Sequence, residues 1–152
     1  MDFTFKTLSN TRGIFNKIIE NNTLEDLNKI PKGFNNNIIW NIGHVLVTEQ
    51  LLAYKLSGLE TNVSEDMINT YKKDSKPKGD ISEKEVNEIK DLLFSTIEKT
   101  KLDYQNEVFK TFNEYTVSTT GNTLTNIEDA LQFAVLHEGL HLGYVLALLR
   151  AI

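Results

Sequence analysis

The chain contains no cysteine. That excludes disulfides, thiolate metal ligands and a cysteine nucleophile, and it suits a reducing compartment. Proline is nearly as scarce; Pro31 and Pro77 lie close to Gly33 and Gly79 and mark the ends of connecting segments. Positive charge is also short. With a formal net charge of −5 and a pI near 5.2, the chain has no global attraction for phosphate backbones or anionic lipid. Its nearest approach to a basic cluster, Lys72, Lys73, Lys76 and Lys78, falls in a polar stretch that reads as solvated loop. Long apolar runs are missing too. The stretches around Val45 and Val145 are interrupted by histidine or charge and are too short to span a bilayer. The first seventeen residues lack the basic start and apolar run of a signal peptide. These absences lead to a cytoplasmic protein with neither nucleic acid nor membrane as partner.

What is present fits a single globular domain over residues 1–152, since 40% hydrophobic and 24% charged residues are ordinary proportions for one core. Four segments carry helical periodicity. In the first, Phe5, Leu8, Arg12, Phe15, Ile18 and Ile19 form one stripe that stops at Asn21-Asn22. Thr23 then caps a short turn, Leu24 to Lys29. The second helix is expected from about Asn37 to Ser57, with Gly58 as its stop, and is apolar over much of its surface. Residues 59–80 are polar, with at most a short helix after Ser64. Ser82 and Glu85 form a capping box that opens a third helix to about Tyr104. Residues 106–123 read as a long connection with a short extended piece, Tyr115 to Ser118. Thr125 and Glu128 form a second capping box, and the fourth helix runs almost to residue 152. The expected class is all-α, an antiparallel four-helix bundle with two longer crossings.

All three histidines fall at core positions. His137 and His141 are four residues apart, ~40° round a helix and one turn up the same face. Both lie in the apolar stripe Ile127, Ala130, Leu131, Ala134, Val145 and Leu148. His44 sits in IIWNIGHVLV, an otherwise apolar part of the second helix. A buried imidazole must satisfy two ring nitrogens, and one divalent ion does this for three rings at once. Three histidines without a fourth protein ligand match the open type of zinc site rather than the closed structural type. The competing reading makes them core histidines bonded to neighbouring oxygens.

Residues 137–141 also spell His-Glu-Gly-Leu-His, the HExxH pattern of zinc peptidases. Only eleven residues follow, none of them His, Glu or Asp, so the usual downstream third ligand is missing. Glu138 is a candidate partner of a metal-bound water, with a surface position on the helix as its alternative. Asn41, one turn before His44, is a candidate for binding that water or orienting a substrate. Trp40 reads as core, and Tyr54, Tyr104, Tyr115 and Tyr144 are candidates for a pocket wall. Gly139, Gly143 and Ala147 give the last helix a smooth face, for close packing inside the bundle or across a dimer; Gly43 offers the same beside His44.

The arrangement Trp40-Asn41-Ile42-Gly43-His44 followed by His137 and His141 on the last helix resembles the DinB-like superfamily, which includes the YfiT-like metal-dependent hydrolases. The likeness covers essentially the whole chain, although Tyr144 follows Gly143 where the family carries Gln. It implies a four-helix bundle, a divalent ion (zinc or nickel) on His44, His137 and His141, and a homodimer. It further implies hydrolysis of a small molecule, or transfer of a low-molecular-weight thiol to an electrophile. The alternative is a non-catalytic metal-binding bundle with a stabilising or sensing role.

Overall fold

The structure, a computed structural model, describes residues 1–152. Its long helices are α1 (Asp2–Glu20), α3 (Ile38–Gln50), α5 (Glu83–Gln105) and α6 (Ile127–Leu148), with short helices α2 (Leu24–Asn28) and α4 (Glu65–Tyr71) in the crossings. Local chemistry explains the boundaries. Thr23 with Asp26, and Ser82 with Glu85, form reciprocal capping boxes at α2 and α5. Asn37 caps α3 by accepting the Trp40 N–H. Gly58 ends that arm at φ +71°, a left-handed conformation that costs a glycine nothing. At α6 the cap lies one residue later than the Thr125/Glu128 pair predicts. Asn126 accepts the Asp129 N–H, and the Asp129 carboxylate turns back to take the N–H and hydroxyl of Thr125.

Cross-helix contacts fix the topology. Phe5 meets Tyr104, Arg12 meets Thr96 and Glu20 meets Lys90, so α1 and α5 run antiparallel. Glu49 accepts from Thr100 and Asp103 from Tyr54, so α3 and α5 run parallel. Asn41 meets His141 while Leu52 clusters with Ala130, so α3 and α6 are antiparallel. Arg12 bonds Glu138, while Phe5 and Leu8 pack with Ile127 and Leu131, so α1 and α6 run parallel. The order is up-down-down-up. A parallel α3–α5 pair requires the chain to travel the length of the bundle between them, which is the work of residues 56–82 and α4.

The second helix is not α-helical throughout. After Gln50 it widens into a π-helical turn, Leu51–Lys55, with the Leu56 N–H reaching back to the Leu51 carbonyl at 3.2 Å. The 106–126 connection carries a small antiparallel hairpin, β1 (Tyr115–Thr116) with β2 (Thr123–Leu124). Its Val117 and Leu124 join Leu52, Ala130 and Phe133 in an apolar cluster, which pins the hairpin against α3 and α6.

Two expectations for α6 change. Gly139, Gly143 and Ala147 are exposed, with open space beside both glycines, so this smooth face does not pack inside the bundle. The bundle's neighbours meet α6 through Leu131, Ala134, Val145 and Leu148 instead. Glu138 is not a surface residue but fully buried. By length and composition α6 is apolar enough to cross a membrane. Its buried Glu138, paired with Arg12 of α1, builds it into the bundle instead.

Arg12 is the one cation in the interior, fully buried on the apolar stripe of α1. Its Nε and Nη2 donate to Glu138 Oε1 at 3.1 and 3.0 Å. Nη1 donates to the Leu93 carbonyl and to Thr96 Oγ1, and Nη2 lies 3.5 Å from Glu49 Oε2. Glu49 also accepts from Thr100 and Gln50. One guanidinium therefore joins all four long helices. Burial alone would lower the Arg12 pKa, but the adjacent carboxylates of Glu138 and Glu49 outweigh it and raise the value. For Glu138 burial prevails: it pushes the carboxyl up to about 7 against the pull of Arg12, and its Oε2 has no partner.

Removing the guanidinium leaves two carboxylates without compensation. Arg12→Ala should cost about 3–5 kcal/mol of folding stability in urea denaturation. A loss below about 1 kcal/mol, the scale of an exposed pair, would show that the cluster does not hold the helices together.

Candidate metal centre

His44 lies midway along α3, and His137 and His141 lie one turn apart on α6. The antiparallel packing of these helices brings the three rings together. Ring centroids are 5.1 Å apart for His44 and His137, 4.8 Å for His44 and His141, and 4.5 Å for His137 and His141. One ring nitrogen from each residue lies within 4.8 Å of the other two. The cluster is of a kind that can hold a metal ion.

Neighbouring groups set the rings for that task. His44 Nδ1 donates to the Tyr71 carbonyl at 2.6 Å, which leaves its Nε2 as the free donor atom. Trp40 stacks flat on the same ring, 4.9 Å away at 9°, and its own indole N–H is held by the Thr70 carbonyl. His141 Nδ1 donates to Asn41 Oδ1 at 2.9 Å. The orientation of that amide is settled by its other end, because Asn41 Nδ2 donates to the Asn37 carbonyl at 2.7 Å and to Asn36 Oδ1 at 3.0 Å. His137 is held by packing between His141 and Phe133.

All three histidines titrate below their usual value. Burial dominates in each case; for His137 the nearby His141 and His44 add to it, bringing it down to about 3. His141 falls to about 4 through burial and His44. His44 is lowered by burial, with partial relief from its bond to Tyr71. Near neutral pH the site therefore presents uncharged imidazoles with their lone pairs available, the form that metals bind.

The histidines form part of the wall of a cavity of about 430 Å³. The π-helical turn, the hairpin from Tyr115 to Thr119, and Phe133 and Leu140 of α6 supply most of the rest. Thr48, one turn after His44, also faces the cavity, with Oγ1 3.4 Å from His44 Nε2.

Neither Glu138 nor Asn41 faces this space. Glu138 points to the opposite side of α6, where Arg12 engages it, so it is not beside any metal-bound water. Asn41 acts on His141 from behind instead of reaching a substrate. Of the four tyrosines, only Tyr115 lines the cavity; Tyr54 and Tyr104 bond Asp103 and Glu128, and Tyr144 packs edge-on to Phe34. Tyr71, Thr48 and the partnership of Arg12 with Glu49 escape a reading of the sequence. Only Arg12 carries a signal there, as a cation on an apolar stripe. Gly43 has a specific reason to be glycine: a Cβ would lie 2.6 Å from the Tyr71 ring, displacing the residue whose carbonyl fixes His44.

Two outcomes follow from this geometry. Asn41→Ala removes the acceptor that sets the His141 tautomer, and zinc affinity, read by competition with a chromogenic chelator, should fall roughly 10- to 100-fold. In metal-free protein, a histidine whose folded pKa is depressed contributes stability that is complete above about 6.5, its unfolded value. That contribution is lost as pH falls towards about 3 for His137. Urea midpoints measured across this window should therefore decline with acidification more steeply for the native protein than for His137→Gln. Equal slopes would mean that His137 is not held neutral by the fold.

None of the curated proteins compared with the chain matches it. A family model described as the DinB superfamily matches residues 7–145, a span that includes all three histidines, the whole of α3 and most of α6. The chain belongs to the DinB superfamily.

Proposed function

We propose that the protein is a cytoplasmic metal-dependent enzyme acting on a small molecule, with zinc or nickel held by His44, His137 and His141. The observation that carries this reading is the position of the three neutral imidazoles at the wall of an accessible cavity. A purely stabilising site would be closed by a fourth protein ligand, and no carboxylate lines this cavity. When bound, a divalent ion would supply Lewis acidity, lowering the pKa of a water or thiol so that a nucleophile exists at neutral pH.

The chain's own residues favour thiol transfer over hydrolysis. Attack by water is normally assisted by a proton acceptor, and the acidic neighbour that peptidases use for this, here Glu138, is turned away and bonded to Arg12. A thiol ionises far more readily than water and needs no such base. Thr48 Oγ1, 3.4 Å from His44 Nε2 and in the cavity wall, would hydrogen-bond a nucleophile held there. Apolar side chains such as Leu51, Leu52, Val117 and Phe133 would exclude bulk water from the reacting pair.

Tag-free protein exposed to dilute zinc or nickel and desalted should retain about one ion per chain, and His44→Ala should retain none. Loaded protein should then turn over in a panel pairing small thiols with electrophiles, and chelation should abolish it. Retention of metal with chelator-dependent melting but no turnover across thiol and ester panels would instead support a stabilising or sensing centre.

A further inference from the structure

The cavity is unusual for this protein in its charge. Aspartate and glutamate outnumber lysine and arginine 21 to 16 in the chain, yet none of the fifteen residues lining the cavity is acidic. The two charged side chains that do line it are both lysines, Lys55 and Lys73. Neither takes part in an ion pair, so no carboxylate of the chain neutralises them. They come from separate elements. Lys55 ends the π-helical turn of the second long helix, and Lys73 follows α4 in the long crossing. Both are exposed, so their ammonium groups stand at the solvent side of the cavity, while the adjoining wall is predominantly hydrocarbon. Ser118 and Thr119 of the hairpin add hydroxyls to the same lining.

An apolar chamber whose charged groups are two unpaired cations fits a ligand of matching design. We infer that the cavity accepts a small amphipathic acid, an apolar body bearing a carboxylate, sulfonate or phosphate. Lys55 and Lys73 engage the acidic group while the body lies along Leu52, Leu56, Val117 and Phe133. The volume of about 430 Å³ lies within the range of small-molecule sites, ~300–1,000 Å³. Neutral molecules of the same shape lose the contact with the lysines. Cationic ones meet repulsion. The inference rests on the proposed function in taking this cavity as the substrate chamber, and it names the chemical class of that substrate.

The test uses two dyes that differ by one anionic group, 1-anilinonaphthalene-8-sulfonate and its uncharged parent N-phenyl-1-naphthylamine, titrated by fluorescence into metal-free full-length protein. The sulfonate should bind more tightly than the neutral dye, and its affinity should weaken as salt is raised. The double variant Lys55→Gln/Lys73→Gln should lose roughly five- to tenfold in sulfonate affinity, the scale of two exposed charge contacts, with neutral-dye binding unchanged. The control Lys76→Gln/Lys78→Gln, in the same polar segment but outside the cavity, should change neither. Equal losses for both dyes, no loss in the first variant, or an equal loss in the control would overturn the inference. Because the titration needs no metal, failure of zinc binding would leave its result intact. Zinc retention by Lys55→Gln/Lys73→Gln would in turn show that lost dye affinity is not a lost metal centre.

Discussion

The bundle depends on a single buried cation. Arg12 reaches from α1 to Glu138 on α6, Glu49 on α3 and the Leu93 carbonyl and Thr96 on α5, and every one of these groups is out of contact with water. Apolar side chains would tolerate a sliding of one helix along another at modest cost, because burial has no direction. The guanidinium does not tolerate it, since its donors must meet two carboxylates in place. Glu138 adjoins His137, and Glu49 lies a little over one turn beyond His44. The ion cluster therefore sets the register of α3 against α6 at the level where the histidines must meet. It stabilises the site from behind, on the far side of α6 from the cavity.

The cavity side is built by departures from regular structure. A π-helical turn continues α3 from about two turns past His44, and a two-residue-strand hairpin closes over the gap. Together they open a space beside the three imidazoles that four straight helices packed at normal density would fill with side chains. Hydrogen bonds to Tyr71 and Asn41 then fix two of the rings before anything binds. A bound ion would therefore find two of the three rings already oriented.

The four helices were legible because their periodicity and caps are local. Ser82 with Glu85, Thr23, Gly58 and the stripe of α1 each announce themselves within a few residues. The histidine trio was legible for a related reason: polar rings on apolar faces demand an explanation wherever they occur. Glu138 was harder. Its neighbours suggest either a peptidase base or a surface residue, and only the meeting with Arg12, 126 positions away, shows that it is neither. The smooth face of Gly139, Gly143 and Ala147 misled in the same way, because small residues at four-residue spacing suit a packed or an exposed face equally. The π-helical turn and the Tyr71 carbonyl left no compositional trace, being consequences of tertiary fit.

We propose that the three imidazoles bind one divalent ion, His44 and His141 through the Nε2 atoms that their bonds to Tyr71 and Asn41 leave free. Anomalous diffraction from crystals grown with zinc, recorded on either side of the zinc absorption edge, tests it directly. One edge-dependent peak within bonding distance of Nε2 of His44 and His141 and of a ring nitrogen of His137, with its remaining coordination facing the cavity, is the expected result. Crystals whose zinc peaks lie only at surface carboxylates, with the three rings bonded to one another or to water, would contradict it.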